Sequence, residues 1–294
     1  MQQQRFAGKV AWVTGGSSGI GEALVAALAG EGASVIVSGR RIAALEAVAA
    51  AVDGDTLILP FEATAYDELE GVVQRALGWH GRVDLLVNNA GVSQRSLALD
   101  TDFSVYRQLM EVDYFAPLRL TQHVLPHMVR RGSGHIAVVS SLAGKLGVPL
   151  RSGYCGAKHA CVGYFEALRA EVEQAYGISV STILPGSVQT GVAVNALSAD
   201  GSPRGRTDAN IAAGMTAQDA ARIIVDGLAG KEREIVVAQG DELAALEVRR
   251  RDPEAFFAFV AGEGARLAVH RQAFGVTGSP DPSKVTLDSA VGRD

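Results

Sequence analysis

Residues 9–21 read Lys9-Val10-Ala11-Trp12-Val13-Thr14-Gly15-Gly16-Ser17-Ser18-Gly19-Ile20-Gly21. A short apolar run rich in β-branched residues reads as a buried strand, and it passes straight into a glycine-rich turn. The stretch Gly19–Glu31 is rich in Ala, Leu and Glu and reads as a helix. Strand, glycine turn and helix in that order are what a dinucleotide-binding turn requires. Gly15 permits the tight turn; Gly19 and Gly21, with Ile20 between them, let backbone and helix come close to a pyrophosphate. The free N–H groups and positive dipole end of the helix then meet negative charge. The spacing is GxxxGxG rather than GxGxxG, and Ser17 and Ser18 add hydroxyl donors.

Gly15-Gly16-Ser17-Ser18-Gly19 also satisfies GxSxG, the nucleophile elbow of a serine hydrolase, again at a strand-to-helix turn. That chemistry needs an acid and then a histidine on loops after late strands. Beyond residue 159 the only histidine is His270, past the last expected strand, so the hydrolase reading finds no partner for the serine.

Working outward, short β-branched runs at Lys9–Thr14, Ser34–Ser38, Asp84–Val87, His135–Ser140 and Ile178–Leu184 alternate with helical stretches. Those stretches are Gly19–Glu31, Arg41–Ala51, Asp67–Trp79, Thr121–Arg131 and Gly153–Tyr176. Thr216 and Asp219 form a capping pair opening a helix over Ala217–Ala229, and Glu234–Val237 reads as a last strand. The alternation predicts an α/β fold, a doubly wound parallel sheet of Rossmann type, over residues 5–240 as a single domain. Residues 199–214 lack periodicity and read as a loop or lid. Residues 241–294 form a C-terminal extension, partly helical. Arg249, Arg250 and Arg251 are expected on a solvated face, Phe256, Phe257 and Phe259 on a docking face, with a disordered tail from about Gly275.

The 294 residues carry a net charge of −5, which disfavours nucleic acid as a partner because phosphates need a basic face. No run approaches the ~20 apolar residues of a membrane span, and Met1 to Arg5 is polar, unlike an export signal. The two cysteines, Cys155 and Cys161, lie six residues apart on one expected helix and cannot bridge. A reducing, cytoplasmic location is expected.

At the end of the second strand a fold of this type that binds NAD places an acid against the adenosine ribose. Here Arg40 and Arg41 stand instead, able to fork around a 2′-phosphate that an acid would repel. NADP(H) is the expected cofactor.

Tyr154 and Lys158 stand at i and i+4 on one helix and so share a face. A free phenol ionises near pH ~10, and a neighbouring ammonium favours the phenolate. YxxxK alone is a weak signal. Its company is stronger: TGGSSGIG, then Asn88-Asn89-Ala90-Gly91, Ser140-Ser141, YxxxK and Leu184-Pro185-Gly186 come in an order and spacing that resemble the short-chain dehydrogenase/reductase family. The resemblance spans roughly Arg5 to Gln239. It looks closest to the single-domain branch of hydroxysteroid dehydrogenases and carbonyl reductases, through Ser140-Ser141-Leu142-Ala143-Gly144-Lys145 and Tyr164-Phe165-Glu166-Ala167-Leu168-Arg169.

The resemblance implies a small-molecule ketone, aldehyde or secondary alcohol as substrate. It implies Tyr154 as general acid or base, Ser141 on the substrate oxygen, and Lys158 on the nicotinamide ribose. Along the cofactor it places Asn89, Ala90 and Gly91, Arg40 at the 2′-phosphate, and Pro185, Gly186, Val188 and Thr190 toward the carboxamide. Two departures stand out. Asp113 replaces the asparagine whose carbonyl holds a relay water; Pro117, lacking an N–H, leaves that carbonyl free, so the relay is expected to survive. Were the Asp113 side chain to face a backbone carbonyl, it would have to be protonated or displaced. Glu62-Ala63 replaces the usual Asp-Val beside the adenine. A homodimer or homotetramer is implied through Thr121–Arg131 and Gly153–Tyr176. His123 and His127 have the i, i+4 spacing of a metal pair but no evident third ligand, so no metal is expected.

Overall fold

The computed structural model describes residues 4–274. Seven strands run parallel in one sheet: β1 Val10–Thr14, β2 Ser34–Ser38, β3 Thr56–Ile58, β4 Leu85–Asn88, β5 Gly134–Val139, β6 Ile178–Pro185 and β7 Glu234–Val237. Their spatial order is β3-β2-β1-β4-β5-β6-β7. The chain winds outward in both directions from β1 and β4, so a crevice opens beyond their carboxyl ends, the usual ligand site of such sheets. This is the doubly wound single domain that the alternation implies.

Both faces of the sheet are covered, which is why its strands read as continuous apolar runs. On one face Val13, Val35 and Val37 pack against α1 (Gly19–Gly30) and α8 (Ala217–Ala229). On the other, Trp12, Ile36 and Leu86 pack against α3 (Leu69–His80), α5 (Ala116–Arg131) and α6 (Ser152–Tyr176). The indole N–H of the fully buried Trp12 donates to Ser38 Oγ at 2.8 Å, so that ring costs no lost hydrogen bond. The expected cap of α8 forms: Thr216 Oγ1 accepts from the Asp219 N–H at 3.1 Å.

Three features go beyond the sequence reading. β3 has three half-buried edge residues, too few to show a period. α4, Phe103–Met110, leads into a π-helical turn over Glu111–Phe115. α5 therefore begins at Ala116 rather than Thr121, with Pro117 in its first turn, where a missing N–H costs nothing. The loop of residues 199–214 holds only the single turn α7, Ala209–Ala212.

Between β2 and β3 lies α2 (Ile42–Ala50), and after β7 come α9 (Asp241–Arg251) and α10 (Pro253–Phe274). Of the expected docking phenylalanines, Phe256 is buried with Leu142, Leu146, Val162 and Leu184. Phe257 is exposed instead, and the Arg249 guanidinium lies 4.8 Å from its ring centre. Near the end of α10, Arg271 Nε lies 2.8 Å from both carboxylate oxygens of Asp100. The tail expected to be disordered from about Gly275 lies outside the described residues.

Candidate functional site

The turn after β1 is built from backbone. Gly15 and Gly19 adopt φ of +64° and +57°, where a side chain is strained. A Cβ on Gly15 would lie 2.9 Å from Ala90 Cα, and one on Gly21 only 2.2 Å from the Gly15 carbonyl oxygen. Thr14 Oγ1 accepts from the N–H groups of Asn89 (3.0 Å) and Ala90 (3.1 Å), and Asn89 Nδ2 donates to the Thr14 carbonyl at 2.9 Å. These bonds stitch the ends of β1 and β4 together. Ser18, the residue before α1, makes no side-chain cap, so the first-turn N–H groups around Ile20 face the crevice uncapped. Across it, Thr190 reaches Gly19 so closely that a Cβ there would lie 2.9 Å from its methyl. An uncapped helix start, two left-handed glycines and a backbone too close for side chains fit a pyrophosphate cradle.

Beyond β2 the two arginines diverge. Arg41 Nη2 donates to Ser17 Oγ at 3.2 Å, bringing its charge onto the glycine turn. Arg40 is 74% exposed and, among the described residues, has only Glu62 Oε2 at 3.4 Å. The other Glu62 oxygen accepts from the N–H (3.3 Å) and hydroxyl (3.2 Å) of Thr64. Ala63 joins Phe61, Ala90 and Val112 in lining a small apolar pocket beside this end of the sheet. The departures at Glu62 and Ala63 thus keep an acceptor and an apolar wall where a base would lie.

Lys158 is buried on α6. Its ammonium donates to the Val139 carbonyl at 3.0 Å, lies 3.2 Å from Asp113 Oδ1 and sits 5.6 Å from the centre of the Tyr154 ring. Two of its three protons are thereby engaged. Burial opposes its charge, but Asp113, Tyr154 and Cys161 together raise the Lys158 pKa above the ordinary lysine range. Asp113 faces no carbonyl: Oδ1 accepts from the Val92 N–H at 3.1 Å and pairs with Lys158, while Oδ2 is buried without a partner. Burial pushes the Asp113 carboxyl up, opposed by Lys158 and the Val92 N–H. The acid is not displaced from this place, because the groups that Oδ1 meets are donors. Gly91 must be glycine beside this pair, since a Cβ would lie 2.6 Å from Asp113 Oδ1.

Ser141 lies just past β5 and caps a short turn over Leu142–Gly144. Its Oγ accepts from the Ala143 N–H at 3.1 Å and donates to the Pro185 carbonyl at 3.2 Å. It is therefore a cap as well as a candidate substrate donor, and its proton must leave Pro185 to serve a substrate. Tyr154, half-buried, stands on the first turn of α6, whose Gly153 and Tyr154 N–H groups donate to Gln94 Oε1 at 2.9 and 3.3 Å. Nothing local marked Gln94 for that task, 60 residues from Tyr154.

The loop after β6 carries Gly186, Val188 and Thr190, and Val188 pairs with Met215. A residue missed in the sequence holds it. Glu242, on α9, accepts from the Ser187 N–H at 2.9 Å with both oxygens and from the Ser187 hydroxyl at 2.7 Å. A Cβ at Gly186 would lie 2.0 Å from this carboxylate. The C-terminal extension thus reaches the strand ends where the other site residues gather.

Residues 9–200 match the family model described as short chain dehydrogenase. Dehydrogenase/reductase SDR family member 7B of Danio rerio is 37% identical over 267 residues, covering 88% of this chain and 86% of that one. Dehydrogenase/reductase SDR family member 7 of Homo sapiens is 39% identical over 237 residues, covering 78% and 70%. Among solved structures, a short chain dehydrogenase/reductase from Burkholderia phymatum, in complex with NAD, superposes with a TM-score of 0.74 at 24% identity, over 85% of this chain and 96% of that one. Levodione reductase gives 0.72 at 25% identity, over 81% and 99%. The chain belongs to the short-chain dehydrogenase/reductase family.

Proposed function

We propose that this protein is an NADP(H)-dependent oxidoreductase that interconverts a ketone or aldehyde with the corresponding alcohol. The observation that carries the reading is the buried Lys158 ammonium, held by Val139 and Asp113 and set 5.6 Å from the Tyr154 ring, at the strand ends beside an uncapped glycine turn. When bound, the nicotinamide supplies the hydride in reduction and takes it up in oxidation.

The residues of the chain do the rest. The phosphate turn, with Gly15, Ser17, Ser18, Gly19, Ile20 and Gly21, holds the pyrophosphate by backbone N–H groups. Arg41, tied to Ser17, and the exposed Arg40 supply the charge for a 2′-phosphate, and Glu62 leaves Arg40 only weakly paired. Asn89, Ala90 and Gly91 line the nicotinamide side, with Pro185, Gly186, Val188 and Thr190 facing them. The remaining proton of Lys158 serves the ribose. The Tyr154 hydroxyl donates its proton to the carbonyl oxygen as the carbon accepts the hydride, and takes one from the alcohol in reverse. Ser141 steadies the oxygen as charge develops on it. The backbone carbonyl of Asp113 holds the relay water, and its side chain sets the charge on Lys158.

A cytoplasmic location is our reading too, supported by the two free, buried cysteines. A homodimer or homotetramer is supported by the exposed Phe115 and Tyr176 at the ends of α5 and α6. Among the described residues no helix is long and apolar enough to cross a membrane.

The test is oxidation of NADPH and NADH by purified protein against a panel of aldehydes and ketones, with Tyr154→Phe alongside. Turnover is expected with NADPH, weaker turnover with NADH, and a loss of at least ~10²-fold in the variant. A wild type that binds NADPH yet reduces nothing would instead indicate a cofactor sensor, with Asp113 as the cause.

A further inference from the structure

Three segments meet at one buried carboxylate: the segment after β4, the turn before α6, and the loop between β6 and α8. Each sends an arginine to one point. Asp208, fully buried, pairs with Arg95 Nε at 2.7 Å and with Arg204 through its other oxygen, while Arg151 Nη2 stands 3.7 Å away. Arg95 and Arg204 are 3% and 7% exposed, Arg151 22%. Three guanidiniums thus share one carboxylate, a surplus of two positive charges by count.

A latch between lid and body needs one cation for one acid. Arg95 is already satisfied by Asp208, Ser93 Oγ (2.8 Å) and the Gln94 carbonyl (2.7 Å). The Arg151 guanidinium makes no hydrogen bond among the described residues and lies beyond hydrogen-bond reach of Asp208. Burial, with Arg151 close by, pulls the Arg95 guanidinium down to about 10. Burial works against the Asp208 carboxylate as well, but Arg95 and Arg204 hold its pKa below the ordinary range. It cannot serve a third cation fully.

The cluster is also aimed. Arg151 is the residue just before α6, on whose first turn Tyr154 stands. Arg95 lies within the electrostatic reach of the Tyr154 phenol. Leu150, just before Arg151, adopts φ of +65°, a costly conformation for a branched residue, and its carbonyl is held by the Ser96 N–H at 3.0 Å. That turn fixes the direction in which Arg151 leaves the backbone.

We propose that Arg151, backed by Arg95 and Arg204, binds an oxyanion on the substrate, so that the natural carbonyl compound carries a carboxylate or phosphate ester a few bonds from the reacting carbon. This deepens the reading of Tyr154 as the proton donor and rests on it for the position of the carbonyl. A guanidinium fork matches either group with two parallel hydrogen bonds, and the group supplies the missing counter-charge.

Two measurements test it in the presence of NADP⁺. Calorimetric titration of benzoate, phenyl phosphate and benzyl alcohol into wild type, Arg151→Met and Arg151→Lys reads binding without turnover. At least one anion is expected to bind about tenfold or more tighter than the alcohol, with that advantage lost in Arg151→Met and partly kept in Arg151→Lys. Which anion binds tells carboxylate from phosphate. The second readout is the ratio of kcat/KM for para-formylbenzoate over its methyl ester, expected to collapse in Arg151→Met. Equal binding of anion and alcohol, or anion binding untouched in Arg151→Met, overturns the proposal even if neutral aldehydes are reduced. Anion binding that depends on Arg151 in a protein reducing nothing sustains the anion site and sinks the oxidoreductase reading instead.

Discussion

The two sides of the crevice are made in different ways. On the cofactor side, from β1 to the end of β4, position is set by backbone: left-handed glycines, an uncapped helix start and the Thr14 hydroxyl joining neighbouring strand ends. On the substrate side it is set by ionised and polar side chains that meet across long stretches of chain. Asp113 meets Lys158, Arg95 meets Asp208 and Gln94 holds the start of α6, while Glu242 holds Ser187 where the two sides meet. Backbone geometry suits a ligand part that is always the same, a pyrophosphate. Side chains can change one at a time without disturbing the sheet, which suits the part that differs between enzymes.

The comparison is broken most directly at Gly21. If the cofactor side depends on backbone approach, Gly21→Ala drives a methyl into the Gly15 carbonyl and Asn89. The turn must open, and NADPH binding followed by fluorescence is expected to fall below detection while the far side of the sheet stays folded. Binding within a fewfold of wild type would show that the close approach is not what the turn is for.

On the substrate side the corresponding change is at Asp113. Asp113→Ala leaves Lys158 buried and charged with only the Val139 carbonyl, and removing one member of a buried pair costs about 3 kcal/mol or more. The urea midpoint reads that loss. Asp113→Asn, the milder change, keeps the shape but removes a negative charge that offsets Lys158. Its urea midpoint is expected to fall less than that of Asp113→Ala, and an equal fall would show that the shape of the side chain contributes nothing here.

The same division explains what could be read in the sequence. The glycine turn, the strand ends at Asn89 and Ser141, and the Tyr154–Lys158 pair are local patterns, and each lies where its pattern puts it. The capping pair at Thr216 is local too. What could not be read is contact between distant segments. Gln94 and Tyr154, Glu242 and Ser187, and Arg95 and Asp208 (113 apart) carry no periodic trace, because each is an ordinary polar residue until the fold brings its partner. The π-helical turn at Glu111–Phe115 escaped for a related reason. Its sequence is compatible with a plain helix, and only packing against α6 shows that Asp113 turns inward.

Acid offers a smaller and more graded test, since the substrate side leans on carboxylates. Asp208 has a folded pKa below its ordinary value, so its contribution is present above about pH 4 and is lost as pH falls through the lower, folded value. His135, at the opposite end of β5, behaves differently: burial, with Lys231 near, lowers its pKa from 6.5 to about 4. Its neutral ring is paired with Ser181 Oγ at 2.8 Å. Between those values the unfolded chain binds a proton that the folded one refuses, so stability falls as pH drops from 6.5, by about 3 kcal/mol once pH 4 is reached. His135→Gln should flatten urea midpoints across that window and leave the steeper loss below it. If the variant loses stability across the window as wild type does, the acid sensitivity lies in the crevice rather than at the far end of the sheet.

The smallest expected effect sharpens the comparison at the point where the two sides meet. The loop after β6 carries Val188 and Thr190, which we propose for the cofactor, yet it is held by a side chain, Glu242, from the C-terminal extension. Glu242→Gln keeps one acceptor oxygen and the length of the side chain but gives up the charge-assisted bond to Ser187. That is worth about 1 kcal/mol at a half-exposed site. If the loop is a cofactor element that the extension merely steadies, KM for NADPH should rise severalfold with kcat almost unchanged. If instead the extension works as a wall of the substrate space, KM for the carbonyl compound should rise and that for NADPH should not. The contact with Gly186, which admits no side chain while Glu242 is in place, favours the first outcome, because the carboxylate touches the backbone of the cofactor loop itself.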